Sequence, residues 1–253
     1  MTLLQVQDLG VTFGGVQALT DVSLSVDTGT VHGLIGGNGA GKTTLLNCVG
    51  RAVSPDRGRI VFDGHDLLTL PPHAIASRGI TRTFQNLALI EGATVLENVC
   101  VGHEPGAHTA RWSDFFPGRR RSLLQTSATH VAMEALSQLG LARHADERID
   151  GLPYGVRKSI EIARALCARP RLLMLDEPTA GLNGREMADL AVALANIRSG
   201  SVLTILLITH HLEFLLRVAD RVTVLELGRV IAEGPPELVQ TDERVRNSYL
   251  GTA

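Results

Sequence analysis

The chain has 253 residues, of which 44% are hydrophobic and 20% charged, and its formal net charge is −2. This composition supports a sizeable globular core and gives no global electrostatic reason to bind nucleic acid or an anionic membrane surface. The three cysteines, Cys48, Cys100 and Cys167, are widely spaced with no CxxC pair, which argues against a metal knuckle or a disulfide framework and for buried free thiols in a reducing compartment.

The first eight residues carry no basic stretch followed by an apolar one, so no secretion signal is expected. Residues 4–9 and 22–26 alternate apolar and polar and read as half-buried antiparallel strands. Residues 31–35 form a short strand that runs into a glycine-rich turn, with a helix expected from about Lys42. From about Gln85 to Cys167 the pattern changes. No convincing strand is present, and Val131, Ala135, Leu136 and Leu139 recur at helical spacing. This stretch reads as a mostly helical lobe inserted into an α/β core, with residues 102–117, rich in Gly, Pro and His, as an exposed loop. Residues 172–175 and 202–208 are nearly continuous apolar runs, as parallel strands covered on both faces require. Between them Met187, Leu190, Ala191, Leu194 and Ile197 mark a helix crossing from one strand to the next. Residues 222–225 and 229–232 flank Leu227-Gly228 and read as a hairpin. The most apolar run, 202–208, is far short of the ~20 residues a membrane helix needs. Work at a membrane would therefore go through a partner.

The segment Gly36-Gly37-Asn38-Gly39-Ala40-Gly41-Lys42-Thr43, followed by Thr44, fits the phosphate-loop pattern GxxxxGK[ST]. Its glycines let successive backbone N–H groups turn inward around phosphate oxygens, and a helix starting near Lys42 adds its positive end. Lys42 would reach the β- and γ-phosphates, and the Thr43 hydroxyl would bind Mg²⁺. The apolar strand ending in Asp176-Glu177-Pro178 delivers two carboxylates to the edge of the sheet where open α/β folds bind ligands. Asp176 would hold Mg²⁺, and Glu177 would orient and activate the attacking water. Acidic residues commonly end strands, so this motif gains its force from the phosphate loop. His210 follows the apolar run 202–208 and could bring an imidazole to the γ-phosphate beside Glu177; a lone histidine there is more often structural. His211 is expected to start a helix.

Leu152-Pro153-Tyr154-Gly155, the helical segment 160–166 and Asp176-Glu177-Pro178-Thr179-Ala180-Gly181-Leu182-Asn183 closely resemble the signature segment and D-loop of ATP-binding-cassette ATPases. The resemblance covers nearly the whole chain. It implies an α/β phosphate-loop NTPase core with a parallel sheet, an antiparallel β subdomain and an inserted helical subdomain at about 85–167, with ATP and Mg²⁺ as cofactors. Gln85, in Arg82-Thr83-Phe84-Gln85, matches the Q-loop glutamine that contacts Mg²⁺ and couples to the membrane subunit. Phe13 matches the aromatic residue that stacks on adenine, and His210 the switch histidine. Members of the family dimerise head to tail, so Leu152, Pro153, Tyr154 and Gly155 would face the nucleotide held by the opposite subunit. The implied partners are transmembrane permease subunits and a second cassette ATPase, identical or related. A solute-binding protein would be met only indirectly, and nucleic acid not at all. The implied location is cytoplasmic, peripheral on the inner face of the membrane.

The Leu-Pro-Tyr-Gly signature, the Ala-Gly-Leu-Asn D-loop, Arg-Thr-Phe-Gln and the ending Ser248-Tyr249-Leu250-Gly251 look like the ATPases of branched-chain amino-acid importers. An insertion like residues 102–121 is also seen in that branch. Urea and lipopolysaccharide-export ATPases share several of these features. Cassette proteins acting on DNA or ribosomes usually carry two cassettes or a long coiled coil, which this chain lacks. The family's usual signature is Leu-Ser-Gly-Gly-Gln; here Pro153 replaces the serine, Val156 the glutamine, and Asn183 the D-loop aspartate. These departures predict unequal nucleotide sites and a heterodimer. His103 and His108 are separated by Pro105-Gly106, which breaks any helix and argues against a zinc pair, and Arg119-Arg120-Arg121 reads as a solvated basic loop.

Overall fold

The computed structural model describes residues 1–83, 88–103, 119–199 and 202–250. Gln85 and most of the predicted loop at 102–117 lie outside them. Contacts divide the chain into two units, the first comprising Met1–Arg82, Arg171–Ala180 and Ser201–Ala253, the second Thr83–Pro170 and Gly181–Gly200.

The first unit is built on two sheets. The alternating N-terminal segments form β1 (Thr2–Phe13) and β2 (Val16–Asp27), an antiparallel pair longer than the sequence pattern suggests and interrupted by register shifts. They join β4 (Arg57–Phe62) and the short β5 (His65–Asp66) in the order β2-β1-β4-β5. The second sheet contains β3 (Val31–Gly36), β6 (Ile80–Arg82), β7 (Leu172–Asp176), β8 (Thr204–Ile208), β9 (Arg221–Glu226) and β10 (Arg229–Gly234), in the order β10-β9-β3-β8-β7-β6. All its neighbours run parallel except β9 and β10, which form the predicted hairpin. The strand expected over 202–208 begins only at Thr204, because Val202 is exposed. Every residue of β3, β7 and β8 is buried, which is why these segments read as unbroken apolar runs.

Helix α1 (Lys42–Val49) follows β3 and packs Leu45, Leu46, Cys48 and Val49 into one core with Leu172, Met174, Leu206 and Ile208. A short helix α2 (Ala74–Ser77) precedes β6.

The second unit is helical. α3 (Val95–Cys100), α4 (Arg119–Gln138) and α5 (Tyr154–Cys167) pack on one another. A Thr94/Glu97 capping box starts α3. Arg119, Arg120 and Arg121, expected in a loop, instead begin α4, since Arg, Leu and Gln are good helix formers and no Gly or Pro follows them there. The helix predicted from Met187, Leu190 and Ile197 is α6 (Gly184–Ser199), and it contacts α4 within this unit. Asn98, fully buried on α3, bonds Ile90 N–H at 2.7 Å and the Ile90 and Thr94 carbonyls at 3.2 and 3.0 Å. The first unit closes with α7 (Leu212–Val218), α8 (Pro236–Thr241) and α9 (Glu243–Leu250). His211 is the N-cap residue of α7, as the sequence suggests. Cys48 and Cys167 are buried free thiols, pushed up by burial to about 11 and about 12, whereas Cys100 is only half-buried.

Candidate active site

Strands β3, β8 and β7 lie side by side and parallel, with Leu34 and Asp176 both in register with Ile208. The residues that follow these strands therefore emerge together at the carboxyl edge, the usual ligand side of an open α/β sheet. They are the glycine-rich loop after β3, Glu177 after β7 and Thr209-His210 after β8.

Gly37, Asn38 and Gly39 are exposed, while Gly36 and Ala40 are buried and anchor the loop. Gly39 (φ +77°) and Gly41 (φ +101°) adopt left-handed backbone. At Gly41 a Cβ would also come within 2.6 Å of the Ala18 carbonyl oxygen, so this position demands glycine twice over. Gly41 is the N-cap of α1 and offers no side-chain acceptor, which leaves the first amides of α1 for an anion. Lys42 folds over the loop, its Nζ donating to the Gly36 and Gly37 carbonyls at 2.7 and 2.9 Å. Burial pushes the Lys42 ammonium below its ordinary value, and the Glu177 and Asp176 carboxylates act in the opposite direction. Thr43 is exposed and Thr44 half-buried on the first turn of α1.

Asp176 is the buried last residue of β7, its side chain 1% exposed, and its Oδ2 accepts from Arg82 Nη2 at 2.7 Å. Glu177 follows in left-handed backbone (φ +50°), a conformation that costs a glutamate about 1–2 kcal/mol. Its N–H donates to the Ile208 carbonyl at 2.9 Å, which holds the turn. Its Oε2 lies 2.9 Å from His210 Nδ1. Thr179 and Thr209, both buried, share a hydroxyl contact of 2.7 Å that ties the loop after β7 to the loop after β8. The structure thus brings Lys42, Asp176, Glu177 and His210 to one edge. Strain of this kind gathers where a side chain must be held at a reacting centre.

Asp176 and Thr43 offer a carboxylate and a hydroxyl, both hard oxygen donors of the kind Mg²⁺ takes. Among the described residues, no group of three or more His, Cys, Asp or Glu side chains could hold a metal ion by itself. The donor set fits an ion that also uses phosphate oxygens and water. Phe13 is half-exposed at the end of β1.

In the second unit, Pro153 is the N-cap of α5, with Tyr154 exposed and Gly155 buried in its first turn. A proline there provides no side-chain cap, and the first helical bond runs from Arg157 N–H to the Pro153 carbonyl at 3.1 Å. A Cβ on Gly181 would lie 2.9 Å from the Tyr154 ring, so the segment before α6 packs closely on the start of α5. Asn183 Oδ1 accepts from the Arg185 and Glu186 amides at 3.0 Å, and Glu186 accepts from the Asn183 amide at 2.9 Å. Asn183 is thus a helix cap, a role aspartate fills equally well.

Sequence patterns did not reveal a role for Arg82 or Asn47, or the Thr179–Thr209 contact. Each depends on neighbours far away in the chain.

The chain is similar to known proteins along its whole length. The ABC transporter family matches residues 19–180, and a branched-chain amino acid ATP-binding cassette transporter family matches residues 229–253. The chain is 38% identical over 253 residues to the high-affinity branched-chain amino acid transport ATP-binding protein BraF of Pseudomonas aeruginosa, covering 99% of this chain and 98% of that protein. It is 34% identical over 251 residues to the lipopolysaccharide export system ATP-binding protein LptB of Haemophilus influenzae, covering 99% and 98%. A solved ATP-binding cassette of an ABC transporter in its ADP conformation superposes with a TM-score of 0.83 at 30% identity, covering 99% of each chain.

Proposed function

We propose, from the premise that this chain belongs to the ATP-binding-cassette (ABC) transporter family, that it is the ATP-hydrolysing subunit of an importer of branched-chain or other hydrophobic amino acids. The observation that carries the catalytic part is the convergence of the glycine-rich loop, Asp176-Glu177 and His210 at the ends of three adjacent parallel strands. The amino-acid part rests on full-length similarity to BraF and on the family match at residues 229–253.

In this reading the amides of residues 36–41 and the first turn of α1 hold the β- and γ-phosphates of ATP, with the Lys42 ammonium beside them. Bound Mg²⁺ neutralises charge on the phosphates, and Asp176, Thr43 and Gln85 are the residues that would hold it. Glu177 orients a water in line with the γ-phosphate and takes its proton, and His210, bonded to Glu177 through Nδ1, keeps that carboxylate aimed. Phe13 stacks on the adenine. Leu152, Pro153, Tyr154 and Gly155 face the nucleotide of a second cassette subunit, so ATP joins the two subunits and hydrolysis releases them.

No helix among the described residues is long and apolar enough to cross a membrane. In this reading transport runs through permease subunits, with this chain peripheral on the inner face. The helical subdomain at about 85–167 is the docking face, and exposed Ile90 and Val101 within it support this. Single cysteines at Ile90 and Val101 should cross-link to the permease, whereas one at the exposed hairpin residue Leu227 should not; preferential capture at Leu227 would reverse the assignment. Reconstituted with permease and binding protein, ATPase turnover should rise with leucine, isoleucine or valine. Stimulation by urea alone or by lipopolysaccharide alone would refute the amino-acid reading and leave the ATPase reading standing.

A further inference from the structure

The carboxylate read as a metal ligand is held by Arg82, the first residue of the Arg-Thr-Phe-Gln segment, to which the resemblance assigns no role. Strand β6 runs parallel to β7 with Arg82 in register with Met174. Side chains two apart on a strand share a face, so Asp176 lies one step further along the face that Met174 presents. That face is covered by α1, whose Leu46, Cys48 and Val49 share a core with Met174. Arg82 ends β6, and its guanidinium reaches across this face to two anchors. Nη2 donates to Asp176 Oδ2 at 2.7 Å, and Nη1 donates to Asn47 Oδ1 at 2.6 Å. Asn47 stands on α1 one turn beyond Thr43. One planar group therefore bridges the strand that carries the metal carboxylate and the helix that carries the metal hydroxyl. The Arg82 side chain is 17% exposed and that of Asp176 1%, so little water competes for these bonds.

We propose that Arg82 is a positioning residue for Mg²⁺-dependent nucleotide binding, fixing the Asp176 carboxylate in one orientation relative to α1. This rests on the reading of Asp176 and Thr43 as metal residues. Arginine suits the task because its fork meets two acceptors in fixed geometry, which a lysine ammonium cannot reproduce. A positive charge beside a cation site would by itself weaken metal binding. Here that charge is bonded to the carboxylate it orients, and outer-shell partners of metal ligands typically contribute 10–100-fold to affinity. Orientation therefore outweighs repulsion.

The test is the Mg²⁺ dependence of binding of a fluorescent ATP analogue, measured on the full chain together with thermal melting of the nucleotide-free protein. Arg82→Met should raise the Mg²⁺ concentration for half-maximal binding by ~10–100-fold, beyond any change in the Mg²⁺-free affinity measured in EDTA. Arg82→Lys should fall between Met and wild type. Asn47→Ala, which removes one anchor and leaves Arg82 in place, should move it in the same direction by less. A purely structural role would lower melting temperatures without moving the Mg²⁺ curve. An unchanged or lowered Mg²⁺ requirement in folded Arg82→Met overturns the proposal; if that variant does not fold, an unchanged requirement in Asn47→Ala does so. A wild-type chain with no Mg²⁺ dependence would instead overturn the metal reading itself.

Discussion

Replacing Glu177 by glutamine separates charge from geometry at the centre of the site. Glutamine keeps the shape of the side chain and can still meet His210 Nδ1, 2.9 Å from the present carboxylate. It also retains the Glu177 N–H bond to Ile208 that holds the left-handed turn. Neither the glycine loop nor Lys42 is touched, so ATP should bind at least as well as before. One negative charge near the phosphates is lost, which removes a repulsion. What disappears is the carboxylate proposed to take a proton from water. Losing a positioned base lowers rates by about 10²–10⁴, a barrier increase of about 2.7–5.4 kcal/mol at about 1.36 kcal/mol per tenfold. Single-turnover phosphate release from pre-bound ATP measures the chemical step, and equilibrium binding of the same nucleotide controls for occupancy. Lys42→Ala is the contrasting case: it removes the ammonium from the phosphates and should weaken binding itself. Phosphate release by Glu177→Gln within about tenfold of wild type, below the range for a lost base, would remove Glu177 from the base role.

Gly41→Ala should destabilise the fold by about 2–5 kcal/mol, adding left-handed strain to overpacking against the Ala18 carbonyl, visible as a melting temperature lower by at least ~5 °C; melting within a degree of wild type would contradict the close approach. His32 is buried with Nε2 2.8 Å from Thr223 Oγ1, and burial pushes its pKa down to about 4. The folded value lies below the unfolded one of about 6.5. The stability it contributes, about 3 kcal/mol, is therefore complete above pH 6.5 and lost as pH falls through about 4. Urea denaturation of wild type and His32→Asn at pH 7 and pH 4.5 should show the wild type losing more, and parallel losses would refute this. In an assembled transporter, the nucleotide facing Pro153 and Val156 lacks the usual serine hydroxyl, a bond to a charged acceptor worth roughly 1.5–3 kcal/mol. Glu177→Gln should then abolish most turnover and the matching change in a related partner subunit should leave much of it; equal losses, or a functional homodimer, would end the idea of unequal sites.

The features legible in the sequence are those whose physics is local. A phosphate loop needs consecutive amides and glycines at fixed spacing, so residues 36–43 announce themselves, as does a buried parallel strand ending in Asp176-Glu177. The β9–β10 hairpin was readable for the same reason, whereas the start of α5 at Tyr154 lies ahead of the helical segment 160–166 that the sequence suggests. Strand β6 was not, because three residues carry too little pattern to stand apart from a turn. The extent of β1 and β2 was also hidden, since register shifts break their alternation. Tertiary structure alone decided which side chains meet. Asp176 is bonded by Arg82 because β6 pairs with β7, and Arg82 reaches Asn47 because α1 lies on the same face. The left-handed turn at Glu177 is equally invisible in one dimension, since glutamate has no preference for it and the Ile208 carbonyl of a neighbouring strand holds it there. Periodicity reports which face of an element is apolar. Register between elements distant in sequence is set by packing, and that register aims the carboxylates.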